Sequence, residues 1–264
     1  MQSQLNAITY GDTGQNLILL HGLFGSHDNL GTLGRALAKK YRVHLVDLRN
    51  HGDSFHAETM NYADMAEDIL AYIDKNAQAP VCLLGHSMGG KVAMQVGLLA
   101  PEQITALIIL DIAPVDYKQY RSGDPHENIL QALKKLSLTK ITSRTAAGTV
   151  LKEYIDSEEV RGFLLKNLRR NADNTFKQCL NIDAIIENYA AILAAPEGES
   201  YPHPVLFLTG EYSDYFVPEY QPATLALFPR AHIQMINNCG HWIHAEQPQP
   251  VYNAVSVFLS EHYG

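Results

Sequence analysis

Apolar residues along this chain follow two different periods. The runs Leu17 to Leu20, Val43 to Leu48, Val81 to Leu84, Leu107 to Leu110 and Val205 to Leu208 lack strict alternation, as strands covered on both faces do. His232 to Ile236 reads as a last strand. Between the runs the spacing turns helical: Leu30, Leu33 and Leu37, then Met65, Ile69 and Ile73, and near the C-terminus Val251, Val255, Phe258 and Leu259. The second of these stripes follows an Asn61-x-x-Asp64 start that resembles a capping box. Strands that each leave room for a helix before the next predict an α/β fold with a mainly parallel, twisted sheet and helices on both faces. The helical stripes are core packing and carry no function of their own.

The rhythm stops after Asp111-Ile112-Ala113-Pro114 and resumes at Pro204, and the intervening stretch has helical periodicity, many charges and no convincing strand. This pattern predicts an α/β core over residues 1–115 and 203–264, interrupted by a helical lid over 116–202. Charge separates the same regions. Residues 116–200 hold twelve Lys and Arg against twelve Asp and Glu, leaving eight against sixteen elsewhere. Arg161, Lys166, Arg169, Arg170 and Lys177 fall in what reads as one helical stretch. Their default role is a solvated face; the functional alternative is a cationic rim for an anionic leaving group such as the phosphates of coenzyme A.

The net charge of −8 argues against a nucleic-acid partner, which calls for a surplus of Lys and Arg on one face. No apolar stretch approaches the length of a membrane span, and the Met1-Gln2-Ser3-Gln4 start has no basic-then-apolar leader. Cys82, Cys179 and Cys239 are odd in number and widely spaced, suggesting neither a zinc site nor a disulfide framework. A soluble, cytoplasmic protein is expected, with no membrane association; the sequence does not give the oligomeric state.

Chemistry concentrates at Gly85-His86-Ser87-Met88-Gly89, directly after the Val81 to Leu84 run and before a helix-like Lys91 to Ala100. A bare G-x-S-x-G is common, but strand, sharp turn and helix together are the context of a nucleophile elbow. A serine hydroxyl needs an adjacent base, normally an imidazole oriented by a carboxylate. His241, in Asn238-Cys239-Gly240-His241-Trp242 beyond the last strand, is the best of twelve histidines. Acyl transfer also needs two N–H groups for its oxyanion, and Leu23, in His21-Gly22-Leu23-Phe24-Gly25, and Met88 are the expected donors. Phe24, Met88 and Trp242 flank these motifs and would wall an acyl site.

Other clusters have simpler readings. Asp47 to Ser54 gathers Asp, Arg, His and Ser, and is best read as a turn that Arg49 and His51 hold together by hydrogen bonds, with Asn50 facing the pocket. His241, His244 and Glu246 lack the spacing of a metal motif, so no metal is expected. His86 reads as a packing residue, and Cys82 and Cys239 as small hydrophobes.

With His21-Gly22, Asp47 to Ser54, the Gly-His-Ser-Met-Gly-Gly elbow, Asp111 to Pro114 and Gly240-His241-Trp242, the chain resembles the α/β-hydrolase superfamily, and most closely the bacterial YbfF-type esterases. That resemblance implies a serine carboxylesterase acting on small-molecule acyl esters, with acyl-CoA thioesters as plausible substrates and no cofactor. An acyltransferase using the same triad, or a non-catalytic ligand-binding protein on this fold, are the alternatives. The triad acid is open at this point. The superfamily's usual pattern points to Asp214, in Gly210-Glu211-Tyr212-Ser213-Asp214, and the YbfF-type resemblance to Asp111 with Ser213 assisting. A carboxylate closing a buried apolar strand is costly without a partner, which favours Asp111.

Overall fold

Seven strands form one sheet: β1 (Ala7–Tyr10), β2 (Asn16–Leu20), β3 (Arg42–Val46), β4 (Val81–His86), β5 (Ile104–Leu110), β8 (Val205–Gly210) and β9 (Ala231–Ile236), in the order β1-β3-β2-β4-β5-β8-β9. All neighbours are parallel except β1, which runs antiparallel to β3. The structure is a computed structural model and describes residues 4–120, 126–136 and 141–263. The Met1 to Ser3 start and the lid positions 121–125 and 137–140 lie outside the described residues, as does Gly264.

Strand geometry explains why the central runs show no alternation. Successive side chains point to opposite faces, and both faces are covered. Ile18 and Leu20 of β2, Val81 and Leu83 of β4, and Val205 and Phe207 of β8 enter one apolar cluster. Their neighbours Leu17, Leu19, Cys82, Leu84, Leu206 and Leu208 enter another. The helices α2 (Tyr62–Asn76) and α3 (Met88–Leu99) cover the first face, and α1 (Gly31–Leu37) and α12 (Pro248–His262) the second. Met65, Ile69 and Ile73 of α2 are fully buried, and the Asn61 side chain caps the helix by accepting from the Asp64 N–H at 2.8 Å. Truncating such a side chain to Ala costs about 2–5 kcal/mol through lost burial and the cavity left behind. The sequence pattern missed β1, an edge strand of four half-exposed residues, too short to display a period.

Between β5 and β8 the chain folds into α4 (Tyr117–Tyr120), α5 (Glu127–Lys135), α6 (Arg144–Lys152), α7 (Glu158–Leu165), a hairpin of β6 (Leu168–Arg170) and β7 (Phe176–Gln178), then α8 (Ile182–Glu187) and α9 (Tyr189–Leu193). The hairpin corrects the sequence expectation of a strand-free lid. Arg169, Arg170 and Lys177 lie on its strands, not on one helical stretch with Arg161 and Lys166. Asn171-Ala172-Asp173-Asn174 supplies the turn, with Asn174 at φ +67° and the Asn171 N–H donating to Thr175 O at 2.8 Å. Strands of three residues leave no period to read.

Both ends of this insertion are fastened at one point. Lys91, the only charged residue of α3, is buried, and its Nζ donates to Val115 O at 2.8 Å, Leu193 O at 3.0 Å and Ala194 O at 2.5 Å. Three donors meet three acceptors, which is the full capacity of an ammonium. Burial pushes its pKa down to about 7. The remaining helices, α10 (Gln221–Leu227) and α11 (Ile243–Glu246), flank β9. Among the described residues no helix is long and apolar enough to cross a membrane.

Candidate active site

The carboxyl ends of β4, β5 and β9 bring three side chains together. Ser87 follows β4 in a sharp turn at φ +53°, ψ −122°, a conformation that costs strain for any residue but glycine. The turn demands small neighbours: a Cβ on Gly85 would strike the Gly89 carbonyl, and one on Gly89 the carbonyls of Leu20 and His21. Asp111 ends β5, fully buried and at φ +52°. Its Oδ1 accepts from the Gly210 N–H at 2.8 Å, and its Oδ2 meets Nδ1 of His241 at 2.7 Å and the Ser213 hydroxyl. The imidazole's Nε2 lies 3.0 Å from Ser87 Oγ. Asp214, the other candidate acid, is exposed.

The histidine is held on several sides. Tyr215 stacks on its ring at 3.9 Å between centroids, and Ser213 Oγ accepts from the Tyr215 N–H at 3.2 Å. Glu246 braces the loop, accepting from Gly240 N–H at 2.8 Å and Trp242 N–H at 3.1 Å. His86 Nε2 donates to the His241 carbonyl at 2.9 Å, so the residue read as packing is also a tether. Burial, and then the neighbouring His241, hold His86 down to about 3, and burial holds His244 well below the usual histidine value. Both rings are therefore neutral around the third. Sequence reasoning missed the Tyr215 stack and the Glu246 brace; the only available signal was their closeness to Ser213 and His241. Among the described residues no group of three His, Cys, Asp or Glu side chains could hold a metal ion.

The loop carrying Leu23 is shaped by the second histidine-bearing motif. His51 Nε2 accepts from the Phe24 N–H at 3.1 Å while its Nδ1 donates to Arg49 O at 2.9 Å. His21 Nε2 accepts from the Leu48 N–H at 3.0 Å while its Nδ1 donates to Gly22 O at 2.8 Å. Each ring thus acts as donor and acceptor at once, the neutral form that burial favours; His51 is held down to about 3. Phe24 takes φ +61°, and the Gly25 N–H closes the turn on Gly22 O at 3.0 Å. Met88, at the other donor position, begins α3, where first-turn N–H groups have no intrahelical acceptor and the helix dipole favours negative charge.

The Arg49 side chain reaches outside the Asp47 to Ser54 turn and ties it to α2, through Asp68 at 2.6 Å and Asp64 at 3.0 Å, while His51 bonds within the turn to Arg49 O. Asn50 departs from the expectation that it faces the pocket. Its Oδ1 accepts from Ala57 N–H at 2.8 Å and from Asn181 Nδ2 at 3.1 Å, so it ties this turn to the base of the lid. The reason is local: Asn50 adopts φ +65°, which turns its side chain along the loop. Phe24 and Trp242 line a cavity of about 250 Å³ beside Ser87, together with Val160 and Phe163 of α7. Arg169 is engaged by Asp53, and Arg161 donates to Ile155 O at 2.7 Å and Asp156 O at 2.6 Å.

This sheet order, elbow and inserted helices define an α/β hydrolase, and the chain belongs to that family: residues 15–248 match the alpha/beta hydrolase fold. It is similar to Esterase YbfF of Escherichia coli, 36% identical over 93% of each chain. It is also similar to the sn-1-specific diacylglycerol lipase ABHD11 of Xenopus laevis, 37% identical over 93% of this chain and 80% of that one. Among solved structures, a marine microorganism esterase superposes with a TM-score of 0.93 at 38% identity, covering 98% of this chain and all of that one.

Proposed function

We propose that the protein hydrolyses carboxylic esters through an acyl-enzyme on Ser87. The observation that carries this reading is the continuous contact from Asp111 through His241 to Ser87 at 2.7 and 3.0 Å, on a serine held at φ +53°. The names of the E. coli and Xenopus relatives, esterase and lipase, support the same chemistry. Ser87 Oγ attacks the ester carbonyl while His241 Nε2 takes its proton; the Leu23 and Met88 N–H groups receive the oxyanion. As the tetrahedral intermediate collapses, His241 gives that proton to the leaving oxygen. Water, activated by the same imidazole, then releases the acid and restores Ser87. Asp111 keeps His241 in the tautomer with hydrogen on Nδ1 and stabilises the imidazolium, while Ser213 shares that carboxylate.

The same steps serve a thioester, so acyl-CoA falls within the proposed substrate class. The test is Ser87→Ala with a p-nitrophenyl ester and a fluorophosphonate probe. The triad works as a unit, so kcat falls about a million-fold, and labelling is stoichiometric and confined to Ser87. A variant that keeps its activity, or labelling at another serine, would overturn the proposal.

A further inference from the structure

Two cavities meet at Ser87, sharing Leu23, His126 and Tyr215 in their walls. The larger, about 250 Å³, has His241 and Trp242 in its wall, while the smaller, about 30 Å³, is bounded by Met88, Tyr62, Tyr117 and Ile192 and does not include His241. A tetrahedral centre on Ser87 carries three further groups. The oxyanion goes to the N–H groups of Leu23 and Met88. The leaving atom must sit beside the group that protonates it, which places it on the His241 side. Only the smaller cavity remains for the acyl chain.

Resting on the ester-hydrolase reading above, we propose that the small cavity is the acyl pocket and the large one receives the leaving group, so that the enzyme selects short, uncharged acyl groups. Measured as space for water-sized probes, one water needs about 10–15 Å³. The 30 Å³ available therefore admits at most on the order of two or three atoms beyond the carbonyl carbon, so acyl groups up to butyryl fit.

The wall chemistry selects against charge. Lys91 borders this cavity and would be the natural partner of a carboxylated acyl chain, but its three ammonium hydrogens are given to Val115, Leu193 and Ala194 carbonyls. The Tyr62 hydroxyl donates to Ile192 O at 2.6 Å and the Tyr117 hydroxyl to Tyr215 O. His126 Nδ1 meets the Tyr189 hydroxyl at 2.8 Å, and the rest of the wall, Leu23, Met88, Ile112, Ile192 and Leu193, is apolar, so a carboxylate buried there would compete with contacts already made. Burial already pulls Lys91 down to about 7, in keeping with a site that disfavours charge.

The experiment is a series of p-nitrophenyl esters from acetate to octanoate, with the half-ester of succinic acid, measured on the wild type, Ile192→Ala and Val160→Ala. Val160 lines the large cavity only. In the wild type kcat/KM is highest between acetate and butyrate and falls at least tenfold by octanoate, and the succinyl half-ester is poorer than butyrate. Ile192→Ala moves the optimum toward longer chains; Val160→Ala leaves the acyl ranking alone and changes the ranking of methyl, butyl and benzyl acetates. Should Ile192→Ala fail to fold, Ile192→Val gives a smaller shift of the same sign. A flat wild-type profile, a preference for octanoate or the succinyl ester, or an acyl optimum that moves with Val160 would overturn the assignment while Ser87-dependent turnover kept the hydrolase reading intact. No turnover of any ester would remove both.

Discussion

Tyr215 lies against His241 with ring centroids 3.9 Å apart and planes 23° from parallel. The hydrogen bonds at its two nitrogens leave the imidazole free to tilt about the Asp111–Ser87 line, and the stack restricts that tilt. Misplacing a catalytic group by about 1 Å can cost 10²-fold in rate. Tyr215→Ala is therefore expected to lower kcat by roughly 10- to 100-fold, with a far smaller change on Tyr215→Phe, which keeps the ring. Equal rates for wild type and Tyr215→Ala would show that the nitrogens alone position the ring.

The triad acid is decided by comparing amides. Asp111→Asn removes the acceptor that selects the Nδ1–H tautomer and should cost about 10⁴-fold in kcat. Asp214→Asn alters an exposed carboxylate and should cost little. Ser213→Ala removes one hydrogen bond from Asp111 and should fall between them. Circular dichroism checks folding in each case, and a large loss confined to Asp214→Asn would reverse the assignment.

Strand positions were legible in the sequence because βα units buried on both faces leave unbroken apolar runs, and the elbow was legible because its glycines answer to sterics at fixed offsets. Contacts between distant segments were not. The two candidate acids each sit at the end of a strand and each precede His241 in sequence; only the sheet order, with β5 and β8 adjacent, lets Asp111 reach the imidazole while Ser213 leans on the same carboxylate. Asn50 was misread for the opposite reason, since a polar residue beside the site was taken to face it, and its φ of +65° is not visible in sequence. The charge of Lys91 inside an apolar helix was visible, but its three carbonyl partners come from both ends of the lid.

If the leaving group occupies the large cavity, a coenzyme A thioester brings its phosphates near the lid cations. Arg169 is already paired with Asp53 and Arg161 donates to the Ile155 and Asp156 carbonyls, while Lys166 at the end of α7 is exposed, so Lys166 is the cation to test. Lys166→Gln should raise KM for a short acyl-CoA several-fold with kcat unchanged, and leave p-nitrophenyl acetate unaffected, because the contact is remote from the reacting carbonyl. Added salt should act in the same direction. Equal effects on both substrates would make Lys166 an ordinary surface charge.

Stability should fall on mild acidification, and His44 shows why. It is buried on β3, with Nε2 donating to Asn16 Oδ1 at 2.9 Å and Nδ1 accepting from the Tyr72 hydroxyl at 2.9 Å, so the neutral ring satisfies both contacts. Burial, helped by Arg42, lowers its pKa to about 4. In the unfolded chain a histidine titrates near ~6.5. Between those two values the unfolded state binds the proton and the folded state does not, so stability rises with pH across the window and is lost as pH drops through it. Each such group contributes a slope of up to about 1.4 kcal/mol per pH unit. His51 and His86, both held to about 3 by burial, act with the same sign. His27 acts oppositely: its hydrogen bond to Asp47 raises its pKa, so its contribution is complete below the unfolded value and fades as pH rises. Burial lowers His21 and His244 in the same direction, so five lowered histidines stand against one raised. Urea midpoints at pH 7 and pH 5 should therefore show a loss in the wild type that is smaller in His44→Gln, whose amide keeps a donor and an acceptor but does not titrate. The expected difference between the two losses is about 2 kcal/mol. Identical losses in the two proteins would mean that His44 takes up its proton without leaving the folded state.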